Sequence, residues 1–270
     1  MNRRACGGGA TLAVRMTRES VGIVTVWMLV LFGSTPVYAQ TGGLGGRLSI
    51  QVNAAVQSSS EKLGQTFSRR VYGEDAVFDV LNDIKGGAVL DTGGSVRVWR
   101  HLSVGAAYTE LNQLGTTTVT GTVPHPILFN ANRAIDPVMQ SLPHRERVTH
   151  IFAAWRVPVR QVKNLNVSVF GGPSYMNLTQ RLVTDVGVAE GGGTPFSAVR
   201  VTAVPVAEHT SSAWGGHVGV DVIYMVTSIF GVGALVRYSN GSVDIPSSND
   251  DMLSVTVGGL QAGGGIRLRF

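Results

Sequence analysis

From residue 47 onward, apolar and polar residues alternate with a period of two along eight stretches of the chain. Successive side chains of a β-strand point to opposite faces, so this alternation predicts strands with one apolar and one polar face. The eight predicted strands are 47–57, 87–99, 102–119, 146–158, 164–183, 213–226, 229–243 and 253–270. No window in this part of the chain keeps the 3.6-residue apolar period of a helix, so we predict an all-β protein.

The first predicted strand illustrates the pattern. Residues Leu48, Ile50 and Val52 share one face of the first predicted strand, opposite Ser49 and Gln51. Beyond residue 39 no apolar run is long enough for a membrane helix. A mature chain that spans a bilayer must therefore do so as a closed barrel, for which strands of roughly 9–11 residues suffice.

The N-terminus has the pattern of a secretory signal peptide. The apolar run Val21–Gly33 follows two arginines, and the small residues of 34–39 follow the run. This arrangement predicts cleavage between Ala39 and Gln40, which makes 1–39 a signal peptide and 40–270 the mature domain. The run falls short of the roughly 20 residues that a spanning helix needs. Translation from Met16 instead of Met1 would give a signal peptide of more usual length.

Charge and cysteine content change once this segment is removed. The only cysteine, Cys6, lies in it, so the mature chain has no disulfide and no cysteine-ligated metal. Removal also takes away four arginines and one glutamate, which lowers the net charge from +5 to +2. The basic character is therefore largely a property of the signal peptide, and we predict no nucleic-acid partner.

The connections between the predicted strands alternate between short and long. Three are tight turns, at Arg100-His101, Arg160 to Lys163 and Thr227-Ser228. Four are longer, at 58–86, 120–145, 184–212 and 244–252. Because outer-membrane barrels have short periplasmic turns and long extracellular loops, we expect both termini in the periplasm. Within 58–86 we predict a β-hairpin beyond the membrane; a ten-stranded barrel is the alternative.

Aromatic residues lie near the ends of the predicted strands: Trp155, Tyr175, Trp214, Tyr224, Phe230 and Tyr238. Aromatic rings are enriched at both membrane–water interfaces, where an apolar body and a polar edge are both accommodated. Their common placement predicts two aromatic girdles around a transmembrane barrel.

Three segments carry a resemblance to a known family. They are Gly264–Phe270 at the C-terminus, the strand–turn–strand segment Gly93–Gly105, and Gly171–Tyr175. With them, the chain resembles small bacterial outer-membrane β-barrels of the OmpA, OmpX and OmpW type, over about residues 44–270. The resemblance implies a closed, antiparallel, up-and-down barrel of eight strands in the outer membrane of a Gram-negative cell.

The C-terminal segment resembles the assembly signal of that family. Gly264, Ile266, Leu268 and Phe270 occupy the expected positions, with a terminal aromatic residue and apolar residues two and four positions before it. The resemblance implies two partners, the barrel-assembly machinery and outer-membrane lipid.

The polar faces of the predicted strands place charged residues and histidines in the lumen. They are Arg47, Asp91, Arg97, Glu146, His150, Arg156, His217, Asp221, Arg237, Arg267 and Arg269. Side chains roughly fill an eight-stranded barrel, and a charge away from water is costly, so we expect these groups to pair. A structural salt-bridge core is one interpretation. A narrow anion-preferring path is the other, because arginines outnumber carboxylates.

Candidates for chemistry are few. His125, His144 and His150 do not have the spacing of a zinc motif. Ser141, Glu146 and His150 are the nearest candidates for a Ser–His–acid group, but the alternation directs Glu146 and His150 into the lumen. We therefore predict no catalytic residue, no metal and no cofactor.

The expected function is a structural or interaction role in the outer membrane, in which a plugged barrel presents its long loops to an extracellular ligand. A narrow passive channel for small solutes is the alternative. An enzyme acting on lipid A or peptide would need a Ser–His–acid cluster at the outer rim.

Overall fold

The computed structural model describes residues 47–159, 162, 164–246 and 252–270, all of which belong to one compact unit. The predicted signal peptide lies outside the described residues, as do parts of the turn at 160–163 and of the connection at 244–252. None of the described residues belongs to a helix that is long and apolar enough to cross a membrane.

The described part of the chain contains thirteen strands, and all their pairings are antiparallel. They are β1 (Leu48–Ser58), β2 (Ser60–Val71), β3 (Glu74–Lys85), β4 (Ala88–Arg97), β5 (Leu102–Pro124), β6 (Asn132–Ala134), β7 (Val138–Val157), β8 (Leu165–Val183), β9 (Gly187–Glu190), β10 (Val199–Ala203), β11 (Val206–Met225), β12 (Phe230–Pro246) and β13 (Met252–Arg269).

Eight of these strands pair in a ring. The order is β1, β4, β5, β7, β8, β11, β12 and β13, and β13 returns to β1. At the join, Leu48 and Phe270 exchange two backbone hydrogen bonds of 2.9 and 2.8 Å. The predicted all-β antiparallel fold with eight ring strands is confirmed. The ten-stranded alternative is wrong, because β2 and β3 lie outside the ring.

The segment 58–86 forms the predicted hairpin. Strands β2 and β3 pair along their length, with Phe67 opposite Phe78. Strand β3 then pairs with Thr116–Thr122 of β5, beyond the part of β5 that pairs with β4. The hairpin therefore extends the wall past the ring. We call this end, which also carries β6, β9 and β10, the loop end, and the opposite end the turn end.

The ring strands have the predicted faces in the half nearest the turn end. Val52, Val220 and Val236 are exposed on the outer face, whereas Asn53 and Asp221 of the same strands are buried on the inner face. All six predicted girdle aromatics are exposed to between 37 and 64%. Tyr175, Trp214 and Tyr238 lie well within longer strands, however, and not near strand ends as predicted.

The two faces exchange polarity at the layer of Tyr238. Beyond it, the outward residues of β12 are the exposed Ser242 and Asp244, whereas the inward Val243 and Ile245 are fully buried. Strand β13 repeats the exchange, with Val255 and Val257 fully buried and Thr256 between them exposed. Other ring strands continue well into segments predicted as loops, since β7 begins at Val138 and β11 at Val206. The prediction missed these extensions because it followed only apolar residues on the outer face.

The outward apolar band has the height of a membrane core. On β11 it runs from Tyr224 to Trp214, which is about 33 Å along the strand at about 3.3 Å per residue. A tilt of about 40° reduces this to about 25 Å along the barrel axis, the height of the apolar band of outer-membrane barrels. The layer of Tyr175, Trp214 and Tyr238 marks its boundary at the loop end.

The pairing at the ring's join predicts a role for the last residue. Deleting Phe270 removes both hydrogen bonds to Leu48. It also removes an exposed aromatic side chain at the turn end. We expect less folded, heat-modifiable protein in the outer-membrane fraction. The control is Phe129→Ala, which removes an aromatic ring that is 80% exposed at the loop end. Equal amounts of folded protein from both variants would contradict the assembly role.

Candidate functional site in the barrel lumen

Arg267 forms the ion pair nearest the turn end. Its guanidinium donates to both carboxylate oxygens of Asp221, at 2.6 and 3.4 Å, and also to the side-chain oxygen of Asn53. The Arg267 side chain is 1% exposed. Gly233 leaves room for this position, because a Cβ atom there would lie 3.1 Å from the guanidinium, a tight contact. A two-pronged arginine–carboxylate pair is among the stronger polar contacts in proteins.

Arg237 occupies the next layer. Its guanidinium donates to Thr109 at 2.7 Å, to Gln261 at 2.7 and 2.9 Å, and to Asp91 at 3.4 Å. Arg237 and Asp91 are both buried. Gln261 in turn donates to Gln57 at 2.6 Å, which connects this layer to the third layer, on its loop-end side.

Glu146 is the centre of the third layer. One of its oxygens accepts from the side-chain amide of Gln57 at 2.9 Å, and the other lies 2.9 Å from Nε2 of His144. His144 also contacts Gln180 through Nδ1. The three layers together form what we call the lumen network. His144, Gln57, Gln180 and Gln261 were not among the predicted residues, although their inward parity identifies them.

His150 and His217 lie beside this network. The hydroxyl of Ser174 is 2.8 Å from Nδ1 of each histidine, and the two rings are 4.6 Å apart. All three residues are buried and have no carboxylate in hydrogen-bonding contact. Both histidines therefore lie in the lumen as predicted, but in a group that lacks the acid of a catalytic triad.

The other four predicted residues line a cavity whose wall also includes Arg237 and Asp221 of the network. They are Arg47, Arg97, Arg156 and Arg269, and the cavity lies at the turn end. Within the described residues, none of the four forms an ion pair with a carboxylate. The predicted charge network is thus divided into a paired part and an unpaired part.

Two apolar clusters fill the loop-end half of the interior, the first beside the third layer of the lumen network and the second beyond it. The first consists of Leu63, Ile84, Val148, Met176, Leu178, Leu182, Val243, Ile245, Val255 and Val257. The second, in which the β2–β3 hairpin meets β5, β7 and β8, includes Phe67, Phe78, Val80, Val119, Val123, Ile135, Leu142 and Val183. We call them the apolar clusters. Sequence reasoning missed them for two reasons. Some members, such as Leu63 and Leu142, lie in segments predicted as loops. Others, such as Met176 and Val255, lie on the inward faces of predicted strands, where the prediction considered only polar residues.

An ion pair ties the segments at the loop end together. Arg133 on β6 donates to both carboxylate oxygens of Glu190 on β9, at 2.6 and 2.9 Å, and to the carbonyl of Phe196. The hydroxyl of Tyr72, in the β2–β3 turn, donates to Glu190 at 3.0 Å. The hydrogen bonds from Arg133 lower the pKa of the Glu190 carboxyl below its usual value.

The candidate catalytic residues are not brought together. Ser141 is exposed on the outer face of β7, whereas Glu146 and His150 of the same strand are buried inside. His125 lies in the connection after β5, where Nε2 is 3.0 Å from the carbonyl oxygen of Pro195. A search of the described ranges finds no group of three or more His, Cys, Asp or Glu side chains that could hold a metal ion.

No family model and no curated protein matches the chain. Several solved structures are similar to it, among them the following three. The outer-membrane protein OprG from Pseudomonas aeruginosa shares 9% identity, with 85% of this chain and 98% of OprG covered and a TM-score of 0.47. Neisserial surface protein A shares 15% identity, with 83 and 97% covered and a TM-score of 0.41. The outer-membrane protease OmpT from Escherichia coli shares 10% identity, with 82 and 97% covered and a TM-score of 0.41.

The burial of the Arg267–Asp221 pair predicts a large effect on stability. Asp221→Ala leaves the guanidinium without its carboxylate, which should lower the free energy of unfolding by about 3–5 kcal/mol. Urea unfolding of the refolded barrel, followed by tryptophan fluorescence, measures the change. The control is Asp244→Ala, whose carboxylate is exposed on the outer face and should matter by about 0.5 kcal/mol or less. Similar losses for both variants would contradict the buried pair.

Proposed function

We propose that this protein is an outer-membrane barrel with a structural or interaction role, closed to solutes and presenting its loop end outside the cell. The observation that carries the proposal is the filling of the interior by the apolar clusters. They lie in the loop-end half of the interior, beside and beyond the third layer of the lumen network, and most of their side chains are less than 5% exposed.

The apolar clusters oppose the passage of ions and polar solutes. A charged or hydrogen-bonding group that leaves water for an apolar interior without a partner pays a large free-energy cost. The clusters are built from both the ring and the hairpin, since Leu63 of β2 packs with Val243 of β12 and Val255 of β13. On the turn-end side, the paired side chains of the lumen network occupy the space that a polar path would need.

The loop end supports an interaction role. The Arg133–Glu190 pair holds β6 to β9, and Tyr72 joins the β2–β3 turn to them. Residues Ile127, Leu128 and Phe129, in the connection between β5 and β6, are 58 to 80% exposed. Exposed apolar residues on an ordered loop are typical of surfaces that bind another molecule. We therefore assign the loop end to recognition of an extracellular ligand.

A narrow passive channel remains the alternative function, and the two functions differ in a measurable property. A channel needs a continuous polar path, whereas a closed barrel gives no resolvable single-channel steps in a planar bilayer. We expect the refolded wild-type chain to give none. A wild-type protein that conducts steadily would contradict the proposal and favour the channel.

Removing side chains that fill the lumen should open the barrel to ions, which tests the proposed closure from the opposite direction. Strands β1 and β4 are adjacent where the β2–β3 hairpin begins, since the amide of Gln57 donates to the carbonyl of Gly87 at 2.8 Å. Residues 59–86 can therefore be replaced by a two-residue turn. This variant loses the hairpin side chains of both apolar clusters, but the lumen network remains, so we expect it to conduct when it also carries Asp221→Ala, which breaks the Arg267–Asp221 pair. The control is Leu81→Ser, which changes an outward residue of β3 and should leave the barrel closed.

A further inference from the structure

Four arginines line one cavity at the turn end of the lumen, and among the described residues none of them forms an ion pair with a carboxylate. Arg97, Arg47 and Arg269 come from the neighbouring strands or strand ends of β4, β1 and β13. The amide of Arg97 donates to the carbonyl of Arg47 at 2.8 Å, and Arg269 pairs in register with Ser49, two residues from Arg47. Arg156, on β7, lines the same cavity. The antiparallel register thus places like charges side by side.

The other arginines of the lumen do not share this situation. Arg237 is paired with Asp91, and Arg267 with Asp221. Asp221 also lines the turn-end cavity, but its two oxygens accept hydrogen bonds from Arg267. Within the described residues the four arginines therefore keep an uncompensated positive charge. Like charges that line one cavity repel, and the repulsion is stronger where protein displaces water.

The rest of the cavity wall provides donors for an anion. Hydroxyl groups of Ser49, Ser95, Ser103 and Ser168 line it, together with the amide groups of Gln51 and Asn166. On the inner side the rings of Phe152 and Phe170 also form part of the lining, and they belong to an apolar group with Leu235. The cavity is therefore a positively charged pocket with an apolar floor.

We propose that this pocket binds a phosphate group. Guanidinium groups bind tetrahedral oxyanions through paired, charge-assisted hydrogen bonds, and serine hydroxyls add neutral donors. Several arginines can share the charge of one phosphate, which also removes their mutual repulsion. The phosphate has two possible sources at this end of a barrel: free phosphate or a phosphate monoester in the periplasm, or an anionic lipid headgroup in the inner leaflet.

Thermal unfolding of the refolded full-length mature chain in zwitterionic detergent tests the proposal. Inorganic phosphate should raise the unfolding midpoint relative to chloride at equal ionic strength, because a ligand that binds the folded state stabilises it. Calorimetric titration with inorganic phosphate gives the affinity. In Arg156→Gln and Arg97→Gln we expect the affinity to fall at least about tenfold, since each loses a charge-assisted contact.

The unfolding temperature measured without phosphate provides a second readout, which should change in the opposite direction to the affinity. Without phosphate, Arg156→Gln should unfold at a higher temperature than wild type, because one repelling charge is removed. A merely structural arginine would lower that temperature. The control is Arg100→Gln, in the exposed turn outside the cavity, which should bind phosphate as the wild type does. Equal loss of binding in Arg100→Gln and Arg156→Gln would overturn the proposal.

Vesicles distinguish the two sources of phosphate. The wild type and Arg156→Gln are refolded into phosphatidylcholine with or without phosphatidylglycerol. Stabilisation of the wild type alone by phosphatidylglycerol, with no effect of inorganic phosphate, assigns the pocket to a lipid headgroup. Stabilisation by inorganic phosphate assigns it to a periplasmic ligand. If neither compound stabilises the wild type more than Arg156→Gln, the phosphate pocket is excluded.

Discussion

A β-strand has only two faces, and the medium outside this barrel changes from lipid to water along the length of each strand. At the layer of Tyr175, Trp214 and Tyr238 the outer face must therefore change from apolar to polar. Because side chains alternate strictly, the apolar residues move to the inner face at the same layer. Strand β12 shows this exchange, since Val236 faces outward before the layer and Val243 faces inward beyond it.

The interior on each side of the layer follows from the exchange. Towards the turn end, the lumen receives the polar residues and cannot leave them in bulk water, so Arg237 and Arg267 are held by carboxylates and amides. Towards the loop end, the lumen receives the apolar residues, which pack as the core of a water-soluble β-barrel would. The apolar residues on the loop-end side are the basis of the proposed closure against solutes. The proposed phosphate pocket lies at the turn end, beyond the paired arginines.

Much of this arrangement could be predicted from the period of two. It identified the eight ring strands and the inward direction of Asp91, Glu146 and Arg237. It could not identify partners: Arg237 on β12 reaches Asp91 on β4, and β1 and β13 lie between these strands in the ring. Such contacts depend on tilt and on the width of the lumen. The strand extensions carried a readable signal, since apolar residues shift by one position between Tyr238 and Val243, but a search for one outward apolar face overlooks it.

Labelling of single cysteines on whole cells tests the exchange of faces most directly. In a Cys6→Ser chain, Ser242→Cys, Val243→Cys and Val236→Cys are treated with a membrane-impermeant maleimide. We predict that Ser242→Cys reacts, since it faces water outside the cell. Val243→Cys should be protected by the apolar clusters, and Val236→Cys by lipid. Equal reaction of Val243→Cys and Ser242→Cys would show an interior open to water and contradict the account, as would rapid labelling at Val236→Cys.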